Sequence, residues 1–127
     1  MLTIKTADLR ELVTARLNQT PGKTYYGSAV RTAVNPYKVF TLARVDLGDL
    51  SRDDFDLCVD VYDRATDPKQ VDEIADKIEA LFNDANLPQP TILPTFFRES
   101  RYPVEEDEKD HQHIQLHFLV ELYTLEE

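Results

Sequence analysis

"FDLCVDVYDRATDPKQVDEIADKIEALF", residues 55 to 82, changes its hydrophobic period halfway along. Phe55, Leu57, Val59 and Val61 alternate with Asp54, Asp56, Cys58 and Asp60, the period of a strand with one buried face. Beyond the polar turn, Val71, Ile74, Ala75, Ile78, Leu81 and Phe82 form one stripe at helical spacing. Asp67 is a ready N-cap and Pro68 suits the first helical position, so the pattern predicts a helix from about 68 to 84. A half-buried strand followed at once by an amphipathic helix calls for a sheet with helices laid on one side.

Upstream, "TADLRELVTARLNQTPG" places Leu9, Leu12, Val13 and Leu17 on one helical face. Thr6 or Asp8 can cap its start and Pro21-Gly22 stops it, which predicts a helix over 6–19. The next segment mixes β-branched and aromatic residues with Gly27 and Asn35-Pro36. It reads as a short strand over 23–30, a turn, and a longer strand over 37–46. Downstream, Ile92, Leu93, Phe96 and Phe97 suit a strand, and Pro94, which has no N–H to give a ladder, implies an edge or a bulge.

The last segment, "EEDEKDHQHIQLHFLVELY" at 105 to 123, leaves an acidic loop over 104–110 and alternates again. Ile114, Leu116, Phe118, Val120 and Leu122 share one face. Its length, roughly 35 Å from Ile114 to Thr124, is that of a strand lying inside a sheet or projecting beyond it. The expected fold class is α+β: a mainly antiparallel β-sheet of four to five strands with two α-helices packed on one face, in a single domain over 1–127.

The chain has 127 residues, 24 acidic against 14 basic side chains, and a formal net charge of −10. That balance disfavours a phosphate-binding surface, since affinity for nucleic acid rests mostly on Lys and Arg. One cysteine, Cys58, allows no internal disulfide and no paired-thiol zinc site, which fits a reducing compartment. The first residues are too polar for a signal peptide and no apolar run approaches the ~20 residues of a spanning helix, so a cytosolic, non-membrane protein is expected.

Period two puts His111, His113, Gln115 and His117 together on the face opposite the apolar one. Imidazoles can ligate a divalent ion, but His113 and His117 stand about 13–14 Å apart along a strand, too far to share one. Only His111 and His113 could chelate together, and the simpler reading is a solvated strand face. The acidic run would favour the protonated imidazole, which leaves a pH switch open. The row Asp54, Asp56, Cys58, Asp60 likewise reads as exposed, since neighbouring carboxylates raise a thiol's pKa and weaken it as a nucleophile. Arg44, Arg98 or Lys38 on neighbouring strands can pair with these aspartates. The acidic run itself reads as a mobile hairpin tip that can order against a basic partner.

Dinucleotide-binding, phosphate-loop, nucleophile-elbow, zincin and EF-hand patterns are all missing from the sequence, so no catalytic residue, cofactor or metal ligand is assigned. Leu119, Tyr123 and Leu125 sit on the same outward face as the histidines. Either the first helix or the N-terminal residues cover them, or they belong to a protein interface.

These quoted segments, an N-terminal helix, the "NPYKVFTLARV" strand, "FDLCVDVYDRATDPKQVDEIADKIEALF", an acidic loop and "HIQLHFLVELY", resemble in order and hydrophobicity the tail terminator or tail completion proteins of long-tailed bacteriophages. The resemblance spans most of the chain and rests on pattern, with no chemical signature. It implies a non-catalytic minor tail protein of the virion, present in the host cytoplasm during assembly. Such a protein forms a ring, commonly of six subunits, at the head-proximal end of the tail tube. There it contacts the tail tube protein and the head connector or stopper protein, at the head–tail junction, with no membrane involved. DNA would pass through the acidic ring without being tightly bound. Ring contacts need protruding loops and edges. The candidate subunit-contact residues are Pro94 on the edge, Glu105, Glu106, Asp107 and Glu108 at the acidic tip, and Leu119, Tyr123 and Leu125 on the outward face. Two other readings stay open: a metal- or pH-sensing binding protein using His111 and His113, and a small α+β enzyme.

Overall fold

The computed structural model describes residues 2–45, 52–83 and 92–124. The elements run α1 (Leu2–Leu17), β1 (Lys23–Tyr26), β2 (Tyr37–Val45), β3 (Arg52–Arg64), α2 (Lys69–Phe82), β4 (Ile92–Pro103) and β5 (His111–Thr124). The five strands form one sheet in the order β1-β2-β3-β5-β4. All neighbours are antiparallel except β1 and β2, which run parallel. This is the α+β architecture expected, and β5, at 14 residues, lies inside the sheet between β3 and β4.

Period two sorts the strands into two faces. Phe55, Leu57, Val59 and Val61 of β3 and Ile114, Leu116, Phe118, Val120 and Leu122 of β5 are buried on the inner face. Both helices close that face: α1 through Leu9, Leu12, Val13 and Leu17, α2 through Val71, Ile74, Ala75, Ile78 and Phe82, all in one apolar cluster. α1 contacts both edge strands, β1 and β4, and so crosses the sheet, while α2 rests on β3, β4 and β5. Phe82 meets Phe96 and Phe118 at ring-centroid distances of 4.9 and 5.5 Å, which locks the end of α2 between β4 and β5.

Several local expectations change. α1 begins at Leu2, because nothing in residues 2–5 breaks a helix, so Thr6 and Asp8 lie inside it and do not cap it. β1 stops at Tyr26, where Gly27 turns at φ +81° and donates its N–H to the Phe40 carbonyl at 2.9 Å. The α2 start shifts by one residue: Pro68 takes the N-cap position in place of Asp67, and the Asp67 carboxylate, one residue further out, still accepts the Lys69 backbone N–H at 2.9 Å. β4 is an edge strand, as Pro94 requires, and its register slips between Arg98 and Ser100. The slip turns Arg98 and Arg101 to the same face, and Glu79 of α2 takes both, at 3.6 and 2.7 Å. Arg101 also binds Asp76 at 2.6 Å, so the bulge ties α2 to the edge of the sheet. No helix among the described residues is long and apolar enough to cross a membrane.

Lys38 is the largest departure on the inner face. Expected to pair with an aspartate of the neighbouring strand, it points instead into the protein and has no exposure. Its ammonium donates to the carbonyls of Thr20, Pro21 and Gly22 at 3.2, 3.0 and 2.6 Å, closing the chain that leaves α1. Arg44 pairs with Asp53, Arg98 with Glu79 of α2, and Lys38 with the carbonyls that follow α1.

Candidate assembly surface

The outer face of the sheet carries no helix contact among the described residues, and it is where nearly all the side chains singled out by the sequence come together. Register sets the neighbours: Asp56 stands opposite Leu119, Cys58 opposite His117, Asp60 opposite Gln115 and Tyr62 opposite His113. The aspartate row and the histidine row are thus one polar patch made by two strands 50 residues apart in sequence, a pairing that no local pattern reveals.

This patch is not the solvated face expected. Asp54 is 2 % exposed, and Asp53 and Asp63 on the other face are also buried. The His113 side chain is 8 % exposed and that of Asp60 19 %, because each covers the other across the strand boundary. His113 Nε2 lies 2.6 Å from Asp60 Oδ1, which also accepts the Gln115 amide N–H at 2.9 Å. Gln115 Oε1 in turn accepts the Tyr102 hydroxyl and faces His117 Nε2 at 2.9 Å. The other ring nitrogen of His117 faces the Asp56 carboxylate at 3.2 and 3.3 Å. Burial pushes the Asp60 carboxyl up, but hydrogen bonds from His113 and Gln115 outweigh it and hold Asp60 below its ordinary value.

An aromatic row crosses four strands beside this network. Tyr25 meets Tyr37 edge-on at 6.1 Å, Tyr37 stacks on Tyr62 at 4.9 Å, and Tyr62 stacks on His113 at 4.2 Å. Burial, then the charge of Asp60, pushes the Tyr62 hydroxyl up to about 12.

Cys58 Sγ lies 3.9 Å from His117 Nε2 and 3.8 Å from Asp60 Oδ2, a juxtaposition that resembles an activated thiol. Its electrostatics are the opposite of activating. Burial, then the charges of Asp60 and Asp56, pushes the thiol up to about 12. The thiol stays protonated and serves as a small packing group. The histidines do not converge on an ion either. His113 is taken by Asp60, and His111 Nε2 lies 3.4 Å from Glu108. Ligand atoms of Glu108, Asp110 and His111 lie within 4.8 Å of one another, but the Arg64 guanidinium reaches Asp110 at 3.0 Å and Glu108 at 3.7 Å and supplies the countercharge itself.

Of the candidate contact residues, Leu119 and Tyr123 do share an outer-face patch, with Phe97 opposite Leu119 and Leu93 opposite Tyr123. α1 lies on the other side of the sheet and does not cover them; Tyr123 is 38 % exposed. Pro94 sits opposite Leu122 and is buried, so its side chain belongs to the core and only its strand belongs to the edge. Leu125 lies outside the described residues. Backbone hydrogen bonds close the base of the acidic tip. Val104 N–H donates to the His113 carbonyl at 2.9 Å, Ala65 N–H to the Asp110 carbonyl at 2.8 Å, and His111 N–H to the Glu108 carbonyl at 3.1 Å. Glu106 leans back over the sheet, its Oε1 3.8 Å from His113 Nδ1, while Glu105, Asp107 and Glu108 stay exposed.

These features define an α+β fold with one sheet face covered by both helices and an opposite face that carries the polar and aromatic patch. No protein-family model matches the chain, and no curated protein matches it in sequence. Among solved structures, it is similar to a chain of the virion of the native gene transfer agent (GTA) particle. The two share 13 % sequence identity, the match covers 87 % of this chain and 84 % of that one, and the TM-score is 0.67. At that identity the likeness is one of fold.

Proposed function

We propose that this protein is a structural component of a phage or phage-like virion, and more specifically a tail terminator. In this role it caps the head-proximal end of the tail tube, stops its growth and joins the tail to the head connector as a ring, in the manner of the six-subunit rings its sequence pattern resembles. The observation that carries the reading is the fold shared, over most of both chains, with a chain of a phage-like particle. The order of elements and the absence of an activated group at Cys58 are in keeping with it. The reading assigns the chain no reaction. A subunit with net charge −10 suits the wall of a channel that DNA crosses without sticking.

The test is electron microscopy of tails assembled with and without the protein. Without it, tubes of irregular length that fail to attach to heads are expected. Tubes of normal length that still join heads overturn the proposal. Localised reconstruction of the head–tail junction then places the subunit, and basic side chains around the bore would remove the channel-wall idea.

A further inference from the structure

One ring nitrogen of His113 is left over from the network on the outer face. The side chain is 8 % exposed, Asp60 Oδ1 holds its Nε2 at 2.6 Å, and its Nδ1 is sealed from solvent without a hydrogen-bond partner among the described residues. A sealed polar atom of this kind costs free energy unless a neighbour can satisfy it. The neighbour in front of it is a carboxylate: Glu106 Oε1, on the hairpin tip, lies 3.8 Å from Nδ1.

The groups around His113 come from several elements. β3 supplies Asp60 and Tyr62, the latter stacked on the imidazole at 4.2 Å, and Tyr37 of β2 stacks on Tyr62 in turn. Burial and then the charge of Glu106 push the Tyr37 hydroxyl up, so the tip lies over this aromatic row. Further along the tip, Glu108 meets both Arg64 and His111, and Asp110 meets Arg64. On β5 itself Gln115 donates to Asp60 and His117 faces Asp56, while Tyr102 of β4 donates to Gln115. Both helices lie on the other side of the sheet.

The number of protons on the ring decides how Nδ1 and Glu106 meet. An ionised Asp60 only accepts, so the proton of a neutral ring sits on Nε2 and Nδ1 keeps its lone pair. Lone pair and carboxylate then face each other as two acceptors with no donor between them. A second proton reverses this. It gives Nδ1 an N–H toward Glu106 and sets an imidazolium between two carboxylates, and a tip movement of about 1 Å then reaches the length of a charge-assisted hydrogen bond.

We propose that His113 is a proton-operated latch for the acidic hairpin tip: its imidazolium draws Glu106 down onto the outer face, and loss of the Nδ1 proton lets the tip lift. The latch decides whether the exposed carboxylates of Glu105, Asp107 and Glu108 lie along the sheet or project from it. It goes beyond the virion reading and stands independently of it.

The experiment is nuclear magnetic resonance of the full chain between about pH 5 and 8, the range in which histidines change charge. Imidazole nitrogen signals report the Nδ1 proton of His113. Hydrogen exchange, corrected for its intrinsic pH dependence, reports closure at the Val104 and His111 amides, which bond to the His113 and Glu108 carbonyls at the base of the tip. Protection of both amides is expected to fall on the order of tenfold along the same curve as His113 loses its proton. In Glu106→Gln, at a side chain 32 % exposed, protection should start lower and stay level. Glu105→Gln removes the same charge from the exposed part of the tip and should keep the fall. So should His111→Gln, which removes the other imidazole that touches the tip, 3.4 Å from Glu108. Protection that ignores the His113 curve, or a fall that survives in Glu106→Gln or vanishes in His111→Gln, overturns the proposal. So does a fall shared equally by the amides of Val59 and Leu116 in the core, which is opening of the whole sheet.

Discussion

The Lys38 ammonium nitrogen lies 2.6 Å from the carbonyl oxygen of Gly22, and the side chain that carries it has no exposure. All three of its protons go to successive carbonyls of Thr20, Pro21 and Gly22, so one buried charge holds the exit of α1 against β2. Replacing Lys38 by Met leaves three carbonyls without a donor, and a loss of about 2–4 kcal/mol in denaturant unfolding is expected. Burial lowers the Lys38 pKa from 10.5 to about 8, so between these values the unfolded chain binds more protons than the folded one. Stability of the wild type relative to Lys38→Met should therefore rise with pH across that window. A gap that stays level or narrows from pH 8 to 10.5 contradicts the assignment.

Gly22 and Gly27 offer a paired test. Both adopt positive φ, +90° and +81°. A Cβ on Gly22 would lie 2.5 Å from the Pro36 carbonyl oxygen, whereas one on Gly27 meets nothing within 4 Å. Gly27→Ala should cost only the left-handed backbone term, about 1–2 kcal/mol, and Gly22→Ala clearly more. Equal costs would mean that β1 and the start of β2 can part freely.

Asp60 should govern acid stability on the outer face. Because its folded pKa lies below the ordinary 3.8, its contribution is present above that value and is lost as pH falls through the lower folded one. Asp60→Asn should lower stability at neutral pH by about 1–3 kcal/mol, with His113 losing its charged partner. The difference between wild type and variant should shrink below pH 4, as read from acid unfolding curves.

Cys58 should be slow to alkylate. With its pKa near 12 against an ordinary 9.0, the thiolate fraction at pH 8 falls on the order of 10³-fold. Mass spectrometry after iodoacetamide should find Cys58 unmodified in the native protein and modified once the chain is unfolded in guanidinium. Rapid native labelling would mean that His117 activates the thiol after all.

What could be read from the chain and what could not divide along a physical line. Period is local, so both helices and the inner faces of the two longest strands follow from the residues themselves. Pro94 marked its strand as an edge for the same reason, a missing donor. Which strand lies beside which is not local. Asp60 and His113 each read as a wet side chain, and each is shielded in part by the other, which stands across a strand boundary 53 residues away. Lys38 shows the same limit from the other side: its acceptors lie in the chain that leaves a helix, and no spacing rule points a strand lysine there. The groove lined by Val30 and Val34 had a partial signal: Val30 ends the segment read as a short strand, and Val34 falls in the turn after it.

The parallel pairing of β1 with β2 has a consequence for how such a chain diverges. Two parallel neighbours oblige the backbone to double back along the sheet before the second strand begins, and here residues 27–36 make that return without a helix. The return segment contributes nothing to the apolar cluster under α1 and α2. Insertions, deletions and changes of charge there should leave the core unstrained. Rewriting this one short crossover thus changes the surface beside edge strand β1 while the apolar cluster stays as it is.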